Sequence, residues 1–385
     1  MNWDKALPII FWFSIAGLAY IYAGYPLLVW LLSRLVTNLR PRGQTRDRIS
    51  VIVTVHNEGH QIHRKLDNIL ASQVEPRIDK IIVASDGSTD DTCQIVQDYP
   101  DPRVQLLHWS ERSGKPTALN NSIPLCTTEI VVLTDARQEL DPAAIGELAA
   151  NFADTELGAV SGELVLKSEG ETTAAAQGIG FYWKYEKFIR KCESSFRGVP
   201  GATGALYALR RRLFQPIAAN TLLDDVVIPM QVIEQGFDCR FEPRAIAYDL
   251  PSQSPGQESI RKRRTIAGAA QLIVQHPRWL FPSLNPLWLE FVSHKICRLL
   301  SPFLLVAALI SNLFLKDTHT VYGILLPLQG LFYEAAVLGW LFQQSGKRAS
   351  WLGPFLMFLT LNVTTVAAMW DALRGKYRVT WRKAA

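Results

Sequence analysis

The chain contains 385 residues, of which 48% are hydrophobic and 19% are charged, and its mean hydropathy is +0.08. This composition is too apolar for a disordered protein, and a mean near zero can combine apolar segments with a polar domain. The five cysteines are an odd number without C-x-x-C spacing, which excludes a complete disulfide framework and argues against a zinc or redox motif. The net charge of +5 leaves nucleic acid open as a partner until the basic residues are located.

The first apolar segment has no charged residue between Ala6 and Ser33, which exceeds the roughly 20 residues that a membrane helix needs. A cleaved signal peptide is the alternative, but its apolar core would span only about 7–15 residues. The arginines that follow this segment favour a retained transmembrane helix over residues 1–36 and place the next domain in the cytoplasm. These arginines are Arg34, Arg40, Arg42, Arg46 and Arg48.

Residues 49–277 contain no such apolar run, and their pattern alternates between strand and helix. Three β-branched runs predict buried strands, at residues 49–55, 80–84 and 130–134. The segments between them have helical spacing, at residues 62–70, 92–97 and 116–123. This alternation predicts a parallel α/β sheet, whose ligand site lies beyond the carboxyl ends of the strands.

Polar residues follow each of these strands. They are residues 56–58 after the first strand, residues 85–90 after the second and residues 135–137 after the third. Three short polar turns at neighbouring strand ends predict a convergent site. A helix cap is an equally good interpretation of the Ser88-Thr89-Asp90 segment, whereas Asp86 stands at the strand end before a glycine.

The apolar character returns near the C-terminus, in three further predicted membrane helices. Residues 299–315 and 351–370 are uncharged, and residues 321–342 contain only Glu334. The predicted membrane region covers residues 278–372, and residues 373–385 are a basic tail. An odd number of spans puts this tail outside, against the positive-inside rule. Either the span with Glu334 is re-entrant or the tail breaks the rule.

The polar turns belong to a series of motifs that resembles membrane-integrated glycosyltransferase family 2, which includes cellulose and hyaluronan synthases. The motifs lie at residues 51–58, 84–90, 114–120, 134–137, 201–205, 223–225, 236–237, 261–264 and 294–295. Each motif is modest alone, but their order and spacing through nearly the whole chain are specific. The resemblance implies a GT-A-type α/β domain with a mixed, mostly parallel sheet, carried by four transmembrane helices, one N-terminal and three C-terminal.

The resemblance also implies a donor site. Asp86 would accept a base N–H of a nucleotide-diphospho-sugar, with Val55 and Glu58 helping to line the pocket. Ser85 stands where the family often has a second Asp. Lys115, in a Gly-Lys-Pro turn that opens a helix, would meet the diphosphate, although a solvated surface lysine is the alternative.

Asp135 occupies the first position of the family's Asp-x-Asp motif, which implies a divalent cation, Mg²⁺ or Mn²⁺. Ala136 follows it within the donor site, and Arg137 replaces the second Asp of the motif. A guanidinium cannot ligate a cation. Either Asp135 holds the metal with phosphates and water, or Arg137 neutralises part of the diphosphate charge. His56 is a weaker additional ligand candidate.

Asp225 matches the family's general base, and Asp224 would help to position it, although an acid pair at a helix start is also a common capping arrangement. Arg264 matches the arginine of the family's Gln-x-x-Arg-Trp motif and would lie near the pyrophosphate. Arg261 and Thr265 replace the Gln and the Trp, so an aromatic platform for a growing polymer is not supported. The alternative is a basic helix on anionic lipid.

The sequence therefore predicts an inverting glycosyltransferase of the bacterial cytoplasmic membrane, with its catalytic domain in the cytoplasm. We expect a UDP-sugar donor and a lipid-linked or glycan acceptor, in cell-surface or exopolysaccharide synthesis. Membrane lipids are expected partners, export or assembly proteins are compatible ones, and nucleic acid is disfavoured because the basic residues flank membrane segments. The alternatives are a processive polysaccharide synthase and a non-catalytic sugar-nucleotide-binding subunit.

Overall fold

The computed structural model of the chain describes residues 3–36, 41–43, 47–73, 78–167, 174–250, 255–345 and 349–376. The strands are β1 Ile49–Val55, β2 Ile78–Asp86, β3 Val104–Trp109, β4 Ile130–Asp135, β5 Glu139–Leu140, β6 Leu157–Leu166, β7 Leu206–Arg210 and β8 Asp238–Asp249. The helices are α1 Trp3–Ala19, α2 Tyr25–Leu35, α3 Gly59–Leu70, α4 Thr92–Gln97, α5 Lys115–Ser122, α6 Ala144–Ala149, α7 Ala174–Phe196, α8 Asp224–Glu234, α9 Pro255–Gln275, α10 Trp288–Phe291, α11 Cys297–Leu315, α12 Thr320–Gln344 and α13 Gly353–Leu373.

The eight strands form one sheet in the order β3-β2-β1-β4-β7-β6-β8-β5. Four of the seven strand pairs are parallel, namely β1 with β2, β1 with β4, β2 with β3, and β6 with β8. Every residue of β1 is buried, as expected for a β-branched strand covered on both faces. The predicted mixed, mostly parallel α/β sheet is therefore confirmed.

The sheet separates two hydrophobic cores. On one face, α3 and α6 bury apolar side chains that include Ile62, Leu66 and Ile145. On the other face, α5 and α8 contribute residues such as Leu119 and Met230. Packing on both faces fixes the strand ends, and the loops that follow β1, β2 and β4 therefore have a rigid support.

Among the described residues, four helical segments are long and apolar enough to cross a membrane: Lys5–Leu35, Trp288–Leu315, Thr320–Gln344 and Gly353–Leu373. Their large apolar side chains face outward, and Phe13 and Phe314 are 71% and 70% exposed. Surfaces of this kind are stable in lipid. The one N-terminal and three C-terminal segments match the prediction, and Glu334 lies within the uninterrupted helix α12, which favours a crossing over a re-entrant segment.

The N-terminal membrane helices pack against elements that come much later in the chain. Phe11 of α1 shares a buried cluster with Ala308 and Leu315 of α11. The hydroxyls of Tyr22 and Ser301 lie 2.7 Å apart, across 279 residues of sequence. The first helix is thus held by side chains of the C-terminal bundle.

A buried ionic network ties α7 to the start of the second membrane segment. The two ring nitrogens of His294 lie 2.8 Å from Glu186 Oε1 and 2.8 Å from Glu193 Oε1. Arg298 Nη1 donates to Glu186 Oε2 at 2.8 Å. The Tyr25 hydroxyl of α2 also donates to Glu193. One network therefore fixes three elements around the membrane interface.

The predicted basic helix is present as α9, and it packs along the last membrane helix, α13. Arg263 pairs with Asp371 of α13, and Lys262 Nζ lies 5.5 Å from the centre of the Tyr182 ring of α7. Part of the positive charge of α9 is therefore matched within the protein. Most of the predicted basic tail, including Arg378, lies outside the described residues.

Candidate active site

The carboxyl ends of β1 and β2 open into a small cleft. Its lining residues are Thr54, Val55, His56, Asp86, Arg112, Lys115 and Ala118. The polar turns of the sequence converge at this point because parallel strands end at the same edge of the sheet. Three predicted donor-site residues, Val55, Asp86 and Lys115, are thereby brought together.

Asp86 anchors the loop that precedes α5. Its Oδ1 accepts from the backbone N–H of Ser113 at 2.7 Å, and its Oδ2 accepts from that of Gly114 at 2.8 Å. An ionised carboxylate has about four acceptor positions, so two remain for another donor. His56 Nδ1 contacts the backbone carbonyl of Asp86 at 2.7 Å, which ties the ends of β1 and β2 together.

Lys115 lies at the centre of the acidic residues. Its Nζ is 2.8 Å from Asp135 Oδ1 and 3.4 Å from Asp224 Oδ2, although its side chain is only 7% exposed. Burial opposes the charged form, but the adjacent Asp135 and Asp224 carboxylates outweigh it and raise the pKa of Lys115 above its ordinary value. The lysine is a buried, paired cation and not a surface residue.

Asp224 and Asp225 begin α8, where negative charge is favoured. The Asp225 carboxylate accepts from the backbone N–H of Gly204 at 3.0 Å, and its backbone carbonyl accepts from Ala202 at 2.7 Å. Burial and the neighbouring Asp224 raise the pKa of Asp225 to about 6. A carboxyl with that pKa is a competent proton acceptor near neutral pH.

Three carboxylates surround Lys115. Asp135, Asp224 and Asp225 all raise its pKa, and Lys65 and Lys295 act as further cations on Asp135 and Asp225. Within the described residues, no group of three or more His, Cys, Asp or Glu side chains could hold a metal ion. The partly exposed Asp135 fits a cation that arrives with substrate phosphates, held by one carboxylate and water.

Several predicted site residues have other contacts. Arg137 turns away from the cleft and pairs with the buried Asp249 at the end of β8. The Glu58 carboxylate accepts from the Gln61 side chain, and its backbone carbonyl accepts from the first turn of α3. Ala136 is buried behind Asp135. Arg264 lies half-buried on α9, beyond the cleft-lining set.

Two cations near the site, the buried Lys65 and the half-buried Arg112, were missed by sequence reasoning. Lys65 of α3 donates to Thr134 Oγ1 at 3.0 Å and to the carbonyl of Gln138 at 2.7 Å, on either side of Asp135. Burial lowers the pKa of Lys65 to about 7. A lysine in the apolar stripe of a helix was the available signal. The second cation is Arg112, three residues before Lys115 in the cleft.

Replacing Lys115 by Met will lower the free energy of unfolding by about 3 kcal/mol, because it leaves the buried Asp224 and the partly exposed Asp135 without their shared cation. Thermal unfolding in detergent measures this change. The matched control is Lys167→Met, whose ion pair with Glu139 is 43% and 51% exposed and is worth less than about 1 kcal/mol. Equal shifts for the two variants would contradict a structural role for the Lys115 pairs.

With the geometry established, comparison with known proteins identifies the domain. Residues 50–217 match the family model described as Glycosyl transferase family 2. The chain is 27% identical over 278 residues to the "Uncharacterized glycosyltransferase YaiP" of Escherichia coli K12, covering 68% of this chain and 66% of that one. It is 24% identical over 232 residues to poly-beta-1,6-N-acetyl-D-glucosamine synthase of Staphylococcus aureus strain COL, covering 59% and 56%.

The chain thus spans about two thirds or less of the length of these curated relatives. Among solved structures, the fold matches the mannosyltransferase PcManGT from Pyrobaculum calidifontis, in complex with GDP-Man and Mn²⁺. The TM-score is 0.71 at 24% identity, and the match covers 96% of this chain and 100% of that chain. The family match, the relatives and the GT-A-like fold agree with the motifs at the strand ends. The chain carries a glycosyltransferase family 2 domain on a GT-A-type fold, joined to four helices able to cross a membrane.

Proposed function

We propose that the protein is an inverting glycosyltransferase that moves a sugar from a UDP-sugar to a lipid-linked or glycan acceptor at the cytoplasmic face of a bacterial membrane. The observation that carries the proposal is the cluster of Lys115, Asp135, Asp224 and Asp225 beside a cleft at the strand ends. The buried Lys115 cation would offset the negative charge of the donor diphosphate. The Asp225 carboxyl, whose pKa is raised, would accept the proton of the acceptor hydroxyl.

In this mechanism Asp86 binds the nucleotide base with its remaining acceptor positions, and Lys115 faces the diphosphate as a point charge. Asp225 takes the proton of the acceptor hydroxyl as that oxygen attacks the anomeric carbon in line with the departing diphosphate. Attack on the face opposite the leaving group inverts the anomeric centre. The Gly204 N–H holds the Asp225 carboxylate in orientation during this step.

Mg²⁺ or Mn²⁺ is the proposed cofactor, and Asp135 is the residue that would ligate it. When bound, such a cation neutralises the charge that develops on the leaving diphosphate. The partly exposed carboxylate of Asp135 supports this assignment. Arg137 is excluded as a ligand by its chemistry and is occupied by Asp249.

A membrane-bound acceptor is supported by the arrangement of the helices around the catalytic domain. The network of Glu186, Glu193, His294 and Arg298 joins α7 to the second membrane segment. Arg34 and Arg48 after the first membrane helix favour a cytoplasmic catalytic domain by the positive-inside rule. An acceptor anchored in the inner leaflet would reach Asp225 from this side.

The test is a panel of nucleotide sugars assayed with the full chain in membranes. We expect transfer from one UDP-sugar, dependence on Mn²⁺ or Mg²⁺, and loss of activity with a chelator. GDP-Man belongs in the panel because PcManGT was solved with it. Transfer from GDP-Man alone would overturn the assignment of a UDP-sugar donor. If donor hydrolysis or sugar transfer kept its rate in the presence of the chelator, the proposed metal cofactor would be overturned.

A processive polysaccharide synthase is the second candidate, favoured by the relatives named poly-beta-1,6-N-acetyl-D-glucosamine synthase. Thr265 in place of the family's Trp weighs against it, as does the number of C-terminal spans, which is three among the described residues. The length of the product made by purified protein separates the two. A single added sugar supports transfer to a lipid-linked acceptor, and a ladder of long products supports polymerisation.

A further inference from the structure

The guanidinium of Arg112 has donors with no partner. Within the part of the chain that the structure describes, its Nε and Nη2 atoms are buried and make no hydrogen bond. Buried polar groups are nearly always satisfied, and a charged donor left unpaired is especially costly. Arg112 lines the cleft, so its guanidinium lies beside any ligand bound there.

Asp86 does not satisfy Arg112, although its charge acts on the guanidinium. The two carboxylate oxygens of Asp86 accept from the backbone N–H groups of Ser113 and Gly114. Burial lowers the pKa of Arg112, and the nearby Asp86 carboxylate opposes that shift. A carboxylate with free acceptor positions therefore stands beside a guanidinium with free donors.

The backbone holds this pair at one end of the cleft. Gly87 follows Asp86 with a φ of +65°, and a Cβ there would lie 2.9 Å from the backbone nitrogen of Arg112. The turn after β2 thus packs closely against the loop that carries Arg112. Lys115, three residues along, instead reaches Asp135 and Asp224. The two cations of one loop therefore lie in different surroundings.

We propose that Arg112 is a specificity-determining residue that donates to a carbonyl oxygen of the donor's uracil, beside the ring N–H that Asp86 accepts. This inference rests on the proposed function, since it assumes a uridine diphosphate donor. Uracil presents a ring N–H flanked by two carbonyl oxygens, which matches a carboxylate next to a guanidinium. In cytosine the same ring nitrogen has a lone pair and no proton, so Asp86 would repel it in that position.

The experiment measures binding of uridine and UDP to the full chain in nanodiscs, for wild type and Arg112→Gln. We expect Arg112→Gln to weaken both ligands by a similar factor, about ten- to a hundredfold, as for the loss of a charged hydrogen bond. The matched control is Arg103→Gln, at the opposite end of β3 from Arg112, where the side chain pairs with the nearby Asp101. That control should leave both affinities unchanged.

A second arm uses only the wild-type protein, so it does not depend on the folding of a variant. UDP with a thiocarbonyl at position 2 or position 4 presents a weaker acceptor, and we expect one of the two to bind less tightly. Loss confined to UDP, with uridine unaffected, would assign Arg112 to the diphosphate and overturn the inference, as would unchanged binding of both thio analogues. If the wild-type protein bound GDP but neither uridine nor UDP, the proposed UDP-sugar donor would be overturned, and so would the role of Arg112 in uracil recognition.

Discussion

Replacing Asp225 by Asn will reduce the rate of sugar transfer by about 10²- to 10⁴-fold while leaving nucleotide affinity nearly unchanged. The amide cannot accept the acceptor's proton, but its oxygen can still accept the 3.0 Å hydrogen bond from Gly204. The loss therefore falls on kcat and not on the fold. Steady-state kinetics with saturating donor, together with UDP binding, measure the two quantities separately.

The pH profile adds an independent readout of the same residue. Burial and Asp224 raise the pKa of Asp225 to about 6, and the base acts in its deprotonated form. Activity is therefore lost as pH falls through that value, about tenfold per pH unit. A cation bound at Asp135 lowers this pKa, so the acidic limb lies at pH 6 or below. Asp225→Asn should remove the limb.

The matched control is Asp98→Asn, since Asp98 lies at the exposed end of α4 and bonds only to Gln94 among the described side chains. It should keep both the wild-type rate and the acidic limb. Transfer at the wild-type rate by Asp225→Asn would remove Asp225 as the base. If the wild type itself transferred no sugar yet bound the nucleotide, the non-catalytic subunit would become the better interpretation.

Replacing Asp135 by Asn will lower transfer by about 10²-fold or more and raise the Mn²⁺ concentration needed for half-maximal activity. The neutral amide is a weaker ligand for a hard cation, and it also frees Lys115 from its 2.8 Å ion pair. Activity is measured against metal concentration, and UDP binding is measured without metal. Together the two measurements distinguish weaker metal binding from a loss of folding. We expect UDP binding without metal to be retained.

Glu139→Gln serves as the control for Asp135, because Glu139 is an exposed carboxylate four residues along that pairs with Lys167. Its metal titration should match that of the wild type. An unchanged titration for Asp135→Asn would show that the cation is held elsewhere and would remove Asp135 as its ligand.

The sequence predicted those strands whose own residues form a continuous β-branched, apolar run. The run Ile49–Val55 is β-branched and buried on both faces, so its pattern alone is typical of a central parallel strand. Strand β3, Val104–Trp109, was missed because it is a half-buried edge strand whose polar residues break the apolar run. Edge strands have a weaker pattern because they need less burial.

The partners of the site residues depend on contacts that are distant in sequence. Arg137 meets Asp249 because β5 pairs with β8, with Glu139 opposite Tyr248. Nothing local to residue 137 reveals a partner 112 residues away. The acidic residues around Lys115 were each identified from motifs, but the contacts of Asp135 and Asp224 with this shared cation emerge only when β4, α5 and α8 are assembled.

The first membrane helix is hydrogen-bonded to residues that are synthesised much later in the chain. Tyr20 and Tyr22 find their hydroxyl partners in Ser293 and Ser301, 273 and 279 residues later. At a synthesis rate of about 5–20 residues per second, roughly 15 to 60 s pass between the synthesis of these tyrosines and the synthesis of their serine partners. The catalytic domain is completed during this interval. The contacts of the first helix with Ser293 and Ser301 therefore form only after the catalytic domain has been synthesised.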